Sequence, residues 1–288
     1  SQATENFAKM GLKKKATISI LLDWIIIFVL CIAYFLVYEY VEVHSQCIPG
    51  GPTEFQCNEY MTQSTPFLGF PYRKSKVYVW YPYLFGTIAW ILVITLSLTV
   101  ECCATEQSLR KYDVLQFVCR LEAVFRELCT SLILTQLIVL CIKRFVGRPR
   151  PFFYEYYAVK PTDALESFPS GHASSSFCMH VLLALHCLYA MHWSSAHYNM
   201  NVKLTPSNTH CLFGATIWRR FSLFNGLKVL CIALLLMVPI WISASRITDY
   251  YHNYSDVLCG AVLGTGVSCV VFAVFNNEIY RYSRSDSI

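Results

Sequence analysis

Near the end of the chain the stretch Ser245-Arg246-Ile247-Thr248-Asp249-Tyr250-Tyr251-His252-Asn253-Tyr254-Ser255-Asp256 sets an Arg, a His and an Asp between two long apolar runs. On a helix His252 and Asp256, four residues apart, face the same way. The carboxylate then accepts the proton on one imidazole nitrogen and leaves the other free, which is how a nucleophilic or general-base histidine is built. Taken alone, the stretch reads equally well as an interfacial loop whose charges avoid hydrocarbon.

Two further stretches carry groups of the same kind. Lys143-Arg144-Phe145-Val146-Gly147-Arg148-Pro149-Arg150-Pro151 holds four cations within eight residues. They repel one another unless something anionic sits among them, and guanidinium groups are shaped to grip phosphate oxygens. The plainer alternative is a basic cluster that holds lipid headgroups. Phe168-Pro169-Ser170-Gly171-His172 stands directly before another apolar run. Ser170 can cap the helix that follows, and Gly171 lets a ligand approach the backbone, so free N–H groups and the helix dipole favour an anion there. His172 stands on the rim, where it can protonate a leaving group.

Helices must carry these groups. The chain has 288 residues, 55% hydrophobic and 14% charged, and is too apolar for a soluble enzyme of its size. It reads as an all-α, polytopic membrane protein forming one domain, 1–288. Six segments are long enough to cross a bilayer, near 16–40, 77–102, 122–142, 173–193, 227–245 and 256–276. Lys13-Lys14-Lys15 marks the start of the first span as cytoplasmic. With that start the three polar stretches all fall at the extracytoplasmic ends of the third to sixth spans, and both termini fall in the cytoplasm. Twelve basic residues then lie inside and nine outside, four of the nine (Lys143, Arg148, Arg150, Arg246) being in the stretches that carry chemistry. The convergence of two histidines, an Asp and three cations on one face weighs more than any single stretch.

Other features bound the reading. The net charge of +5 has no longer like-charge run than the lysine triplet, so no nucleic-acid partner is expected. No cleavable signal pattern precedes the first span, which is expected to be retained. Asp23, inside that span, is expected to face the bundle interior as a packing group. Of the 14 cysteines only Cys47 and Cys57 share a polar loop, and whether they pair depends on the compartment it faces. His172, His180, His186 and His192 share one helix at spacings of eight, six and six with no carboxylate, so no metal site is expected. The 194–226 cytoplasmic loop has no assigned role.

Lys143 to Arg150-Pro151, Pro169-Ser170-Gly171-His172, and Ser245-Arg246 to His252 and Asp256 together resemble the three-part signature of the type 2 phosphatidic acid phosphatase superfamily, with all spacings kept. Ser255-Asp256-Val257-Leu258 and the glycines after it are most similar to the lipid phosphate phosphatase (phospholipid phosphatase) type, while Pro149 and Pro169 stand where its animal surface enzymes commonly have Leu and Tyr. The resemblance implies a phosphatase that needs no metal or cofactor. His252, oriented by Asp256, would attack phosphorus and form a phosphohistidine; His172 would protonate the leaving alcohol and then activate water. Lys143, Arg150, Ser170, Gly171 and Arg246 would hold the phosphate oxygens. Arg148-Pro149 offers a second alignment of the Arg-Pro pair, but its spacing from Lys143 is too short. The implied substrate is a lipid phosphate within the bilayer (phosphatidate, lysophosphatidate, sphingosine 1-phosphate or ceramide 1-phosphate), at the plasma membrane or endoplasmic reticulum with an extracellular or lumenal site. A polyisoprenyl or diacylglycerol pyrophosphate stays open as substrate, as do a homo-oligomer and an inactive scaffold. Retention of every motif residue weighs against the scaffold.

Overall fold

The computed structural model describes residues 2–43, most of 68–91, 114–201 except 158, and 225–281. Regular structure among the described residues is helical: α1 Gln2–Tyr40, α2 Val114–Val146, α3 Phe153–Tyr156, α4 Pro161–Ala164, α5 Gly171–Asn201, α6 Asn225–Thr248 and α7 Tyr254–Arg281. The described residues between 81 and 91 are helical too.

Among the described residues, four stretches are long and apolar enough to cross a membrane: Ile18–Tyr40, Leu121–Val146, Lys228–Thr248 and Tyr254–Phe275. They coincide with the first, third, fifth and sixth expected spans. The second expected span runs beyond the described residues, as do Cys47, Cys57 and residues 202–224. The fourth lies in α5, which differs from the others in kind. Its Ser174, Ser175, Ser176 and His180 are all buried, because α5 packs against α2, α6 and α7 at once.

The polarity is that of a protein solvated by hydrocarbon. Leu21, Ile25 and Phe28 of α1, Leu234 and Trp241 of α6, and Leu258, Val262 and Val270 of α7 are exposed, while Thr135, the three α5 serines and Ser268 are buried. Some of these hydroxyls bond back to their own helices: Ser176 Oγ donates to His172 O at 2.6 Å and Ser268 Oγ to Gly264 O at 2.7 Å, while Thr135 Oγ1 donates across to Cys178 Sγ at 3.4 Å. A cluster of Trp90, Val124, Leu128, Met179, Leu182 and Leu183 fills the middle of the bundle.

Charged groups deep in the bundle are paired away from the motif stretches. Asp23 bonds Arg126, which is 2% exposed and lies 3.4 Å from Glu122, while His186 Nε2 is 2.8 Å from Glu127 Oε2. At 1.5 Å rise per residue these groups sit roughly 25 Å down α2 from Lys143. They bind α1 and α5 to α2 rather than entering the site.

The α5–α7 contact fixes the height of everything above it. A Cβ on Gly264 would lie 2.1 Å from the Ser174 carbonyl oxygen, and one on Gly260 would lie 2.5 Å from the Ser170 carbonyl. Both obstacles are backbone, so the helices can approach this closely only with glycine at both positions. Gly86 is different, since its Cβ would meet only the flexible Met179 side chain, at 2.6 Å. Gly264→Ala is therefore expected to cost about 1–3 kcal/mol and to lower the thermal midpoint in detergent, and Gly86→Ala is expected to cost clearly less. Equal losses from the two would contradict the backbone contact.

Candidate active site

The first polar stretch leaves α2 at Gly147, whose φ of 55° is the left-handed turn that glycine adopts without strain at a helix end. Residues 148–150 then run beside 164–167, with Arg150 N–H donating to Ala164 O at 2.8 Å and Ser167 N–H to Arg148 O at 3.0 Å. This alignment brings carboxylates to the cations. Arg150 donates to Asp163 Oδ1 at 2.6 Å and to the Asp163 carbonyl at 2.7 Å. Glu166 is 3.8 Å from Lys143 Nζ and 3.4 Å from Arg144 Nη1, and Arg148 Nη1 donates to Asp256 Oδ1 at 2.6 Å. The mutual repulsion expected of four neighbouring cations is offset from within the protein.

The third stretch is a link between two capped helices. Tyr251 N–H donates to Arg246 O and Tyr250 N–H to Ile247 O, both at 3.0 Å, which is a Schellman closure of α6. The left-handed residue in that closure is Tyr250, with φ 61°, where glycine is usual. Its ring stacks on Phe70 at 4.6 Å and lies under Arg73 at 4.7 Å, contacts that hold the strained backbone. On the other side Asn253 begins α7, and the Asp256 carboxylate, three residues on, accepts the Asn253 N–H at 2.9 Å, half of a capping box. His252 sits between the two caps, 3% exposed. Its Nδ1 is 2.7 Å from the Ser167 carbonyl and 3.8 Å from Asp256 Oδ2.

Arg246 is fully buried in the last turn of α6. It donates to Ser75 Oγ at 2.6 Å, Ser245 Oγ at 3.2 Å and Asp249 Oδ2 at 3.3 Å. Its guanidinium and that of Arg150 lie over one ring, Tyr251, at 5.4 and 5.5 Å. Two phosphate-shaped donors thus share a single aromatic platform.

The second stretch contributes the start of α5. Ser170 Oγ accepts the Ala173 N–H at 3.4 Å, the expected cap, and Ser170 N–H donates to the Asp256 carbonyl at 3.0 Å. The first N–H groups of a helix have no intrahelical acceptor, so those of Gly171 and His172 point out of its end. A Cβ on Gly171 would meet only ordinary contacts, 3.9 Å from Val139 Cγ1, so packing within the protein does not demand glycine there. His172 Nε2 is buried and has no hydrogen-bond partner among the described residues. By contrast His180 Nδ1 is 2.8 Å from Ser176 O, and His186 is held by Glu127.

The field at the two histidines is strongly positive. Burial first, then Arg246, His252, Lys143 and Arg150, hold the His172 imidazole well below its usual range. Burial likewise drives His252 down to about 4, against the pull of the nearby Asp256 carboxylate and with Arg150 and Lys143 adding to the fall. Both rings are neutral at pH 7, and an anion between them would be drawn in by three cations.

The structure thus brings Lys143, Arg150, Ser170, Gly171, His172, Arg246, His252 and Asp256 into one cluster. Arg148, whose alignment with the Arg-Pro pair competes with that of Arg150, turns to the Asp256 carboxylate instead. Asp163, Glu166, Ser167, Ser75 and Tyr250 are additions. Uncompensated cations signalled that carboxylates were missing from the motif, and Asn253 with Asp256 has capping-box spacing. Nothing in the sequence marks Ser75 or the Ser167 carbonyl.

The PAP2 superfamily profile matches residues 125–280, which include every one of these motif residues. The chain is 24% identical over 234 residues to "Lipid phosphate phosphatase 1" of Arabidopsis thaliana, covering 74% of this chain and 59% of that one. It is 30% identical over 115 residues to "Putative phosphatidate phosphatase" of Drosophila melanogaster, 40% of this chain and 23% of that one. A third relative, "Lipid phosphate phosphatase 2" of Arabidopsis thaliana, is 29% identical over 166 residues, half of this chain and 48% of its own length. The chain therefore spans less than two thirds of the length of these relatives. No solved structure matches it.

A depressed histidine has a definite pH signature. As pH falls, unfolded His252 takes up its proton near the ordinary histidine value of 6.5 and the folded one only near 4, so its contribution to stability is present above 6.5 and is lost between 6.5 and 4. Histidine-selective 15N NMR of the chain in micelles is expected to show one ring neutral down to about pH 4, absent in His252→Gln. Protonation of that ring near 6.5 would contradict its burial among cations.

Proposed function

The chain belongs to the PAP2 superfamily, and on that premise we propose that it is a lipid phosphate phosphatase that works through a phosphohistidine on His252. The observation that carries the proposal is the unpartnered Nε2 of His172, buried beside His252 and within the field of Lys143, Arg150 and Arg246. A buried polar atom without a partner is costly unless a ligand completes it.

The chemistry follows from proton positions. With its Nδ1 proton on the Ser167 carbonyl, His252 presents Nε2 as a neutral nucleophile. Its lone pair forms the N–P bond as the ester P–O bond breaks, and the departing alkoxide takes a proton from His172. His172 must be charged to do this, and the dianionic phosphate supplies the reason: once seated, it offsets the cations that hold the ring neutral. His172 then removes a proton from water, whose oxygen attacks phosphorus and breaks the N–P bond. Lys143, Arg150, Arg246 and the Gly171 N–H stabilise the equatorial oxygens, the part that a metal ion plays in other phosphoryl transfers.

A lipid fits this site best. The polar stretches lie at the ends of helices whose outer faces are hydrocarbon-like, so a phosphate at headgroup depth leaves its acyl chains in the bilayer. Phosphatidate, lysophosphatidate, sphingosine 1-phosphate and ceramide 1-phosphate all meet that condition. The basic residues of the first span's start orient the site to the extracellular or lumenal side, with cytoplasmic termini.

The test is phosphate release by the purified chain from these lipids and from glucose 6-phosphate, in detergent with a chelator present. Release from the lipids is expected, with kcat falling roughly a thousandfold or more in His252→Ala. Full activity in that variant would remove His252 from the nucleophile's role. Activity lost to the chelator and restored by a divalent ion would overturn the metal-free mechanism.

A further inference from the structure

We propose that Arg148 and Ser167 are positioning residues, a clamp that holds the nucleophilic imidazole through the Asp256 carboxylate and not through the phosphate. The inference rests on the phosphohistidine reading above and deepens it.

The acceptor nearest the imidazole proton is a backbone oxygen. His252 Nδ1 is 2.7 Å from the Ser167 carbonyl but 3.8 Å from Asp256 Oδ2, beyond hydrogen-bond length. The orientation of the ring is therefore set by wherever Ser167 is held. Two bonds hold Ser167: its N–H donates to the Arg148 carbonyl at 3.0 Å, and its Oγ donates to Asp256 Oδ2 at 2.6 Å. The other carboxylate oxygen takes Arg148 Nη1 at 2.6 Å. Arg148 thus meets the same assembly twice, through its carbonyl on Ser167 and through its guanidinium on Asp256, and the three residues close a ring around the histidine's anchor.

Burial sharpens the assignment. Asp256 is fully buried, whereas the Arg148 side chain is 35% exposed and reaches in from the rim. Without it one oxygen of a buried carboxylate loses its charged partner, and the carboxylate no longer fixes Ser167, whose carbonyl holds the imidazole proton. The same Nη1 also donates to Ser255 Oγ at 2.7 Å, so the guanidinium is tied to the start of α7 from both sides. The cations that act most strongly on His172 are Arg246, Lys143 and Arg150. Two arginines two residues apart, each followed by proline, therefore have different tasks: Arg150 faces the anion site and Arg148 faces the machinery behind the nucleophile.

Kinetics separate a positioning residue from a phosphate ligand. Arg148→Gln, Arg148→Lys, Ser167→Ala and Arg150→Gln would be compared with the unsubstituted chain on phosphatidate in mixed micelles, with acid-labile phosphoenzyme trapped in parallel. The Arg148→Gln and Ser167→Ala variants are expected to lose about tenfold to a hundredfold in kcat and in phosphoenzyme formation with KM little changed. Arg148→Lys is expected to recover part of that loss, and Arg150→Gln to raise KM. A raised KM with intact kcat in Arg148→Gln would make Arg148 a phosphate ligand, and wild-type kinetics in both it and Ser167→Ala would dissolve the clamp.

A second readout is independent of turnover. 15N NMR of the resting protein is expected to show His252 in a single Nδ1–H tautomer, and a mixture of tautomers in Arg148→Gln and Ser167→Ala. Unchanged tautomers in both variants would overturn the proposal. Absence of His252-dependent phosphate release by the wild-type chain would instead defeat the reaction reading, and the tautomer result would still decide the clamp.

Discussion

One buried carboxylate, that of Asp256, determines the shape of the site. It sits in the first turn of α7 and is fully buried, so every lone pair must find a donor. Those donors come from three separate parts of the chain: Arg148 after α2, Ser167 before α5, and the Asn253 N–H at the start of its own helix. Its backbone carbonyl takes a fourth, the Ser170 N–H. Moving any one of the three polar stretches would leave a donor or an acceptor of this residue unpaired, so the stretches stay in register. The glycine contacts of α7 with α5 act in the same direction, since Gly260 lies directly under the Ser170 carbonyl.

Electrostatic balance is the second constraint. Lys143, Arg144, Arg148, Arg150 and Arg246 are five cations in a small volume, and Asp163, Glu166, Asp249 and Asp256 stand against them. The surplus of a single positive charge makes the folded site tolerable without a ligand yet attractive to an anion. The carboxylates are not equivalent. Asp163 is 41% exposed and Glu166 holds Lys143 only at 3.8 Å, so these two can give way to the oxygens of an incoming anion. Asp256 cannot, because its bonds are to the groups that hold the His252 ring.

Much of this is legible in the sequence, and what is not has physical reasons. The three stretches and the capping by Ser170 follow from residue types and spacing. Asp163 and Glu166 escape notice because a counter-ion can come from any loop that the fold brings near. Tyr250 escapes because left-handed turns advertise themselves by glycine, and here stacking on Phe70 pays for a tyrosine. The Ser167 contribution is a main-chain carbonyl, and no side-chain pattern encodes where a carbonyl points.

The bond between Ser75 and Arg246 joins residues 171 positions apart. During synthesis the segment carrying Ser75 leaves the ribosome long before the helix that brings Arg246, and α7 with Asp256 follows later still. The nascent protein therefore holds Lys143, Arg148 and Arg150 in or near the bilayer with no Asp256 to hold Arg148 and no completed histidine pair. The site therefore cannot close until α7 has docked, and a bundle without α7 leaves Arg148 with no Asp256 carboxylate to meet. The contacts that order the site thus also report that α7 is in place.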